Sequence, residues 1–213
     1  MDGFIVAVPL ADVHQSIDEL IGNLPCIVID SSRHPTADIV GVDQYRAGRL
    51  ATEHLLGLGH DTVWHLAGPV NWSDSTLRTE GWRDALRDAG RSIPPIVYGD
   101  WTAESGHRNG LVLGRAPEVS AVFVACDDMA FGFVRAMSEL GRRVPQDVAV
   151  VGMDDIDLAA YCTPPLTTVR QQFAEVGRLA VEQLIARITA PDSEHVPALI
   201  EPELMVRGSS VPS

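Results

Sequence analysis

The chain has 213 residues, 16 basic against 29 acidic, for a formal charge of −13, with 46% apolar and 21% charged side chains. That composition argues against a disordered chain and suits one large domain or two small lobes with a sizeable core. The negative balance repels a phosphate backbone, so these residues alone are not expected to grip nucleic acid.

In chain order, the sequence predicts a strand over Phe4 to Val8, a helix over Val13 to Ile21, and strands over Cys26 to Ile29 and Ile39 to Val42. A helix over Tyr45 to Leu58 follows, then a strand over Thr62 to Ala67 and a helix over Thr76 to Ala89. The strand Ile96 to Tyr98, the helix Ser105 to Leu113, the strand Ala121 to Ala125, the helix Met129 to Leu140 and the strand Val148 to Val151 continue the alternation. Gly59, Gly90 and Gly141 stand where three of these helices should stop. Repeated strand–helix units predict an α/β fold with parallel, doubly wound sheets, and the continuously apolar strands require both sheet faces to be covered. After Val151 the alternation gives way to an irregular stretch through Tyr161. A helix over Ala174 to Ile188 comes next, with Val176, Leu179, Ala180, Leu184 and Ile188 on one stripe, and the tail Pro197 to Val206 reads as one or two strands around Pro202.

All 16 basic residues are Arg, a feature without mechanistic weight. Cys26, Cys126 and Cys162 are odd in number and lack CxxC spacing, which indicates neither a disulfide framework nor a zinc site. The amino terminus has no basic leader or cleavage site, and a cytoplasmic protein is expected. No P-loop, GxSxG, HExxH or GxGxxG occurs, and His60 and His65 are not spaced to share a helical face. No enzyme activity, cofactor or metal is therefore expected. Asp154 and Asp155 could in principle hold Mg²⁺, but neighbouring residues point in different directions.

In open α/β sheets, ligands sit beyond the carboxyl ends of the strands. The residues there are polar: Asp30; Asp100 and Trp101; Cys126, Asp127 and Asp128; Asp154 and Asp155. Any one of these aspartates could simply cap the next helix, and for Asp127, just before Met129, capping is the expected role. With Arg78, amides and aromatic rings, they form the set that hydrogen-bonds and stacks on a small polyhydroxylated ligand.

These residues fall in ordered motifs: Asp2-Gly-Phe-Ile-Val, Arg49-Leu-Ala-Thr-Glu-His-Leu-Leu-Gly-Leu-Gly-His60, Leu66-Ala-Gly-Pro69, Arg78-Thr-Glu-Gly-Trp82, Ala125-Cys-Asp-Asp-Met-Ala130, Val148-Ala-Val-Val-Gly-Met-Asp-Asp155 and Pro164-Pro-Leu-Thr-Thr-Val-Arg-Gln-Gln-Phe173. Taken together, the chain resembles, nearly end to end, the effector-binding domain of the lactose-repressor/galactose-repressor (LacI/GalR) family of transcription regulators. The resemblance implies a two-lobed periplasmic-binding-protein-like fold with three crossovers, near Val42, near Thr168 to Gln171 and near Pro191 to Val196. It divides the chain into residues 1–41 plus 169–192 as an amino-terminal lobe, and 42–168 plus 193–213 as a carboxy-terminal lobe. Family members carry a helix-turn-helix head and two further strand–helix units ahead of Asp2-Gly-Phe-Ile-Val, so the first lobe is expected to be incomplete and its first strand to lie at an open edge.

The resemblance further implies a sugar in the cleft. Asp30 would contact it from the first lobe, and Arg78, Trp101, Cys126 and Asp154 from the second, with Gln171 and Phe173 lining the hinge side. Asp74 stands where the lactose branch has Ser, and Cys126 where the family commonly has Asn. The run Gly99 to Gly106 and the run Thr167 to Phe173 look most like the lactose branch, which makes a galactoside the leading ligand. A homodimer is implied, with segments such as Leu50 to Leu58 and Gly132 to Met137 at its interface, and operator DNA would be bound only through the head. The alternative is a transporter's periplasmic sugar-binding protein, which shares the fold. Arg78→Ala and Asp154→Ala are each expected to weaken sugar binding at least tenfold and to leave melting without ligand unchanged.

Overall fold

Val and Ile crowd the short apolar runs, where β-branched side chains pack well on a pleated surface and have little freedom to lose. In the computed structural model, which describes residues 2–7, 24–30, 38–190 and 197–211, these runs build two separate sheets. The first contains β1 (Phe4–Ala7), β2 (Cys26–Ile29), β3 (Asp38–Val42) and β9 (Ala198–Ile200) in that spatial order, all parallel. The second contains β4 (Trp64–Ala67), β5 (Val97–Tyr98), β6 (Ala121–Val124), β7 (Ala149–Asp154), β8 (Thr167–Arg170) and β10 (Glu203–Met205). Its order is β10-β8-β7-β6-β4-β5, parallel except for β10, which returns antiparallel along β8. The tail is thus two strands, one on each side of Pro202 and each in a different sheet.

Among the described residues five α-helices connect the strands: α1 (Gln44–Gly57), α2 (Ser73–Asp88), α3 (Ala103–Leu113), α4 (Asp127–Glu139) and α5 (Phe173–Thr189). The segment expected as a helix at 13–21 lies outside the described residues. The helices begin one to three residues ahead of the starts expected from the periodic apolar positions. The first turns of α2 to α5 carry Asp74, Glu104, Asp127, Asp128 and Glu175, carboxylates that suit the positive end of a helix dipole and that a hydrophobic period does not register. The expected stops hold: Gly59, Gly90 and Gly141 adopt φ of 94°, 64° and 71°. After Gly90 and Gly141 the next amides, of Arg91 and Arg142, reach back to the Leu86 and Met137 carbonyls, closing the last helical turn.

Both faces of the second sheet are covered. Val122, Val124, Val148 and Val150 pack under α3 and α4 with Phe133 and Met137, while the alternate residues Ala121, Phe123, Ala149 and Val151 pack under α1 and α2 with Leu55 and Trp82. His65 is buried in that second layer. Its ring stacks on Phe123 with centroids 4.7 Å apart, its Nδ1 lies 3.0 Å from the Phe123 carbonyl oxygen, and burial holds its pKa down to about 4, so it is a neutral core residue. The first sheet is covered on one face by α5, through Val176 and Ala180 against Ile27, Val40 and Val42.

Each helix pair over the second sheet meets backbone to backbone. A Cβ on Gly48 of α1 would lie 2.1 Å from the Arg78 carbonyl oxygen of α2, and one on Gly81 of α2 would lie 2.0 Å from the Tyr45 carbonyl oxygen of α1. Gly106 and Gly132 make the same reciprocal contact between α3 and α4. Gly48→Ala is therefore expected to destabilise the protein by about 1–3 kcal/mol in urea unfolding, because two helices must separate to admit one methyl group. Gly57→Ala, which meets open space, is the control and should leave the midpoint within error.

The chain passes between the sheets at Asp43, at Gln171–Gln172 and at Glu201–Pro202. The third passage corrects the expectation of 191–196. Ala198–Ile200 pairs in register with Val40–Val42, which keeps it in the first sheet, and Pro202, lacking an N–H, marks where the chain leaves it. The same pairing moves β9 from the second lobe to the first, and β8 carries the second sheet through Arg170. The amide of Asp43 donates to the Ile200 carbonyl at 2.9 Å, tying the first passage to the third.

Candidate functional site

Beyond the ends of strands β5 and β7 the backbone takes unusual conformations. Trp101, Asp154 and Asp155 have φ of 71°, 115° and 54°, and they are the non-glycine residues in the left-handed region among the described residues. Such conformations cost on the order of 1–3 kcal/mol each and persist where the surrounding structure holds them. Two of them, Trp101 and Asp154, line one cavity of about 310 Å³ together with Trp72, Asp74, Arg78, Cys126 and Asp128. Asp74 also lines a second, narrower cavity of about 70 Å³, with Asp30, Gln44, Gln171 and Phe173. The eight residues singled out in the sequence thus line two cavities that meet at Asp74.

Arg78 is buried in the middle of α2 and its guanidinium is held from below. Nε donates to Gln44 Oε1 at 2.7 Å and Nη1 to the Ala125 carbonyl oxygen at 2.6 Å, while Nη2 lies 3.8 Å from Asp74 and the group sits 5.7 Å from the centre of the Trp101 ring. These bonds also brace the fold. Removing Arg78 strands two buried acceptors, so melting of the unliganded protein will not stay unchanged, contrary to the expectation from sequence.

Asp154 ends β7 and accepts from Gln171 Nε2 at 2.6 Å. Burial raises its carboxyl pKa above the usual range, Arg78 and Gln171 oppose that, and the neighbouring Asp128 and Asp74 add to it. Trp101 lies directly against Gly68, where a Cβ would come within 2.0 Å of the indole, and meets Trp72 edge-on at 5.5 Å. Cys126 is buried, and burial pushes its thiol up to about 12, so it is a neutral, weakly polar wall rather than a nucleophile. Asp30 accepts from Ser73 Oγ at 2.9 Å, a bond between the end of β2 and the start of α2. Phe173 is 60% exposed in the first turn of α5, outside the helix's buried stripe.

The capping role expected for Asp127 is not what the structure holds. Cys126 is the residue before the helix, and Asp127, buried at its first position, turns toward the sheet to accept from Thr168 Oγ1 at 2.6 Å and the Ile156 amide at 3.0 Å. Gly152 makes room for it, since a Cβ there would lie 2.3 Å from Oδ1. Burial, with Asp154 adding its charge, raises its pKa to about 7. Asp100 does bind its own turn, accepting from the Thr102 amide at 3.0 Å. Asp155 turns away from the cavity and accepts from Arg170 at 2.7 Å and Arg207 at 2.6 Å, fixing the strained turn that presents Asp154. Among the described residues no group of three or more His, Cys, Asp or Glu side chains is arranged to hold a metal ion.

The sequence signals leave out Trp72 and Gln44. Trp72 follows the loop after β4 rather than the strand itself, and Gln44 carries no motif, while Asp128, one of the polar residues at a strand end, lines the larger cavity. The chemistry assembled is a forked cation, carboxylate acceptors, amides and two indoles around a water-accessible space. That set binds and orients a small polar ring, and it offers no activated nucleophile.

Residues 52–210 match the family of the periplasmic binding protein-like domain. The ribose operon repressor of Escherichia coli (strain K12) is 35% identical over 99% of this chain, which spans 65% of that protein's length. A solved complex of the transcriptional regulator CelR with cellobiose superposes with a TM-score of 0.88 at 35% identity, over 99% of this chain and 66% of that one. The Lac repressor dimer bound to operator and the anti-inducer ONPF superposes with a TM-score of 0.91 at 30% identity, over 99% of this chain and 74% of that one. The chain belongs to the periplasmic binding protein-like domain family, in its LacI/GalR branch.

Proposed function

We propose that the chain is the effector-binding part of a LacI-type transcriptional regulator and that the cavity between its sheets takes a small sugar. The observation that carries this reading is the cavity at Arg78 and Asp154, where a forked donor and a carboxylate acceptor face the same space beside two indoles. Arg78 would bridge neighbouring hydroxyls, Asp154 would accept from one, and an indole would cover the ring's C–H side, with each charge-assisted bond contributing roughly 1.5–3 kcal/mol. Sugar binding would favour one arrangement of the lobes over the other, and only its differential affinity for the two can shift their balance, typically by about 1–3 kcal/mol. Operator DNA would be contacted by a part of the regulator outside this chain, in a homodimer within the cytoplasm. The repressors among its relatives favour this reading over a transporter's binding protein.

A tryptophan-fluorescence titration with D-ribose, cellobiose and methyl β-galactoside tests the reading, with purines as a second ligand class. A saturable change with one sugar, reduced or lost in Trp101→Phe, is the expected result. A response to purines alone would overturn the sugar assignment.

A further inference from the structure

Beneath the cavity, four side chains form a hydrogen-bonded relay whose direction is fixed at both ends. Arg78 can only donate, and its Nε takes Gln44 Oε1 at 2.7 Å. The other half of that amide, Nε2, must then donate, and it does so to Gln171 Oε1 at 2.7 Å. The Gln171 Nε2 is left to donate to Asp154 Oδ1 at 2.6 Å, an acceptor. Neither glutamine can flip without placing two donors or two acceptors face to face. Gln44 is 2% exposed and Gln171 7%, so water does not substitute for a lost partner. The two amides also sit at two of the passages between the sheets: Gln44 opens α1 directly after Asp43, and Gln171 follows β8. The relay therefore ties the two cavity groups that best match a sugar to the segments about which the lobes would move.

We propose that Gln44 is a positioning residue for ligand binding: by fixing the direction of this relay it sets the orientation of Arg78 and Asp154, and it ties that orientation to the passages between the sheets. The inference rests on the reading of the cavity as a sugar site for its effect on affinity, but not for its effect on Asp154.

Two measurements on the full chain separate these. In the unliganded protein, Gln44→Glu still accepts from Arg78 but offers Gln171 an oxygen where an N–H stood. Gln171 must turn, and its oxygen then faces Asp154. The Asp154 carboxyl, followed by carbon-13 NMR, should titrate at higher pH in this variant than in wild type, with Arg78 and Asp74 of α2 and Asp127 and Asp128 of α4 unaltered around it. An unmoved midpoint would overturn the relay. With the sugar that titrates the wild type, Gln44→Leu should weaken affinity at least tenfold, Gln44→Asn should recover part of it, and Gln172→Ala, at the exposed neighbouring position, should change it less than twofold. Gln44→Leu combined with Asp154→Asn should lose less affinity than the product of the two single losses, the remainder coming from Arg78. Affinity losses that multiply, or Gln44→Leu binding within twofold of wild type, would overturn the positioning role. If none of the three sugars binds the wild type, the sugar reading fails, while the carboxyl titration still decides for or against the relay.

Discussion

Arg78→Ala is expected to reduce sugar affinity about 100-fold and to lower the melting temperature of the unliganded protein by about 5 °C or more. The first effect follows from losing two charge-assisted hydrogen bonds to hydroxyls, each worth roughly 1.5–3 kcal/mol, where about 1.4 kcal/mol is a factor of ten. The second follows from what lies beneath. The Gln44 amide oxygen and the Ala125 carbonyl, both buried, lose their donor, at a cost of about 2–4 kcal/mol. Arg78→Lys should recover part of the stability and little of the affinity, because a point charge on a flexible stem cannot bridge two hydroxyls. Titration of each variant, paired with thermal melting, separates the two effects. Wild-type affinity in Arg78→Ala would remove the residue from the site.

Asp154→Asn should separate affinity from stability in the opposite way. Sugar binding is expected to fall at least tenfold, while the unliganded protein melts at the same temperature or higher. Asn keeps an oxygen for Gln171 Nε2 and removes a charge that the folded state disfavours, since burial raises the Asp154 pKa above the ordinary value. The sign is explicit. A carboxyl whose folded pKa is raised weakens the fold once pH exceeds its unfolded value, so the variant's advantage should be absent below about pH 4 and grow as pH rises toward neutrality. Melting curves from pH 4 to 8 check this. A variant less stable than wild type at pH 8 would show that the charge supports the fold rather than the ligand. A site residue that costs stability when empty is the usual mark of a group kept for binding.

Much of this was legible in the sequence because it follows from local chemistry. The β-branched runs, the glycines at 59, 90 and 141, and the placing of polar residues at strand ends need only neighbours a few positions away. The helix expected over Tyr45 to Leu58 lies within one residue of α1 at each end, because Asp43, which caps it, stands just ahead of the apolar period. Other features were set by partners far along the chain. Ala198–Ile200 belongs to the first sheet because it pairs with Val40–Val42, and nothing local distinguishes it from the strand beyond Pro202. Asp127 was expected to cap because its spacing to Met129 allows it, but Thr168, 41 residues away, takes it instead. The resemblance brought Arg78 and Asp154 into one site, yet it was silent on Gln44, whose role depends on a bond to Gln171 across 127 residues. Burial of Arg78, and with it the double effect of its removal, came only from the packing of α1 against α2.

The most direct measurement is a crystal structure of the chain grown with whichever sugar saturates the fluorescence signal. The account predicts the sugar ring in the cavity of Trp72, Trp101, Arg78 and Asp154, with the guanidinium and the carboxylate within hydrogen-bond distance of its hydroxyls and the Gln44–Gln171 bond retained. A sugar bound elsewhere on the molecule, with this cavity filled only by water, would contradict it.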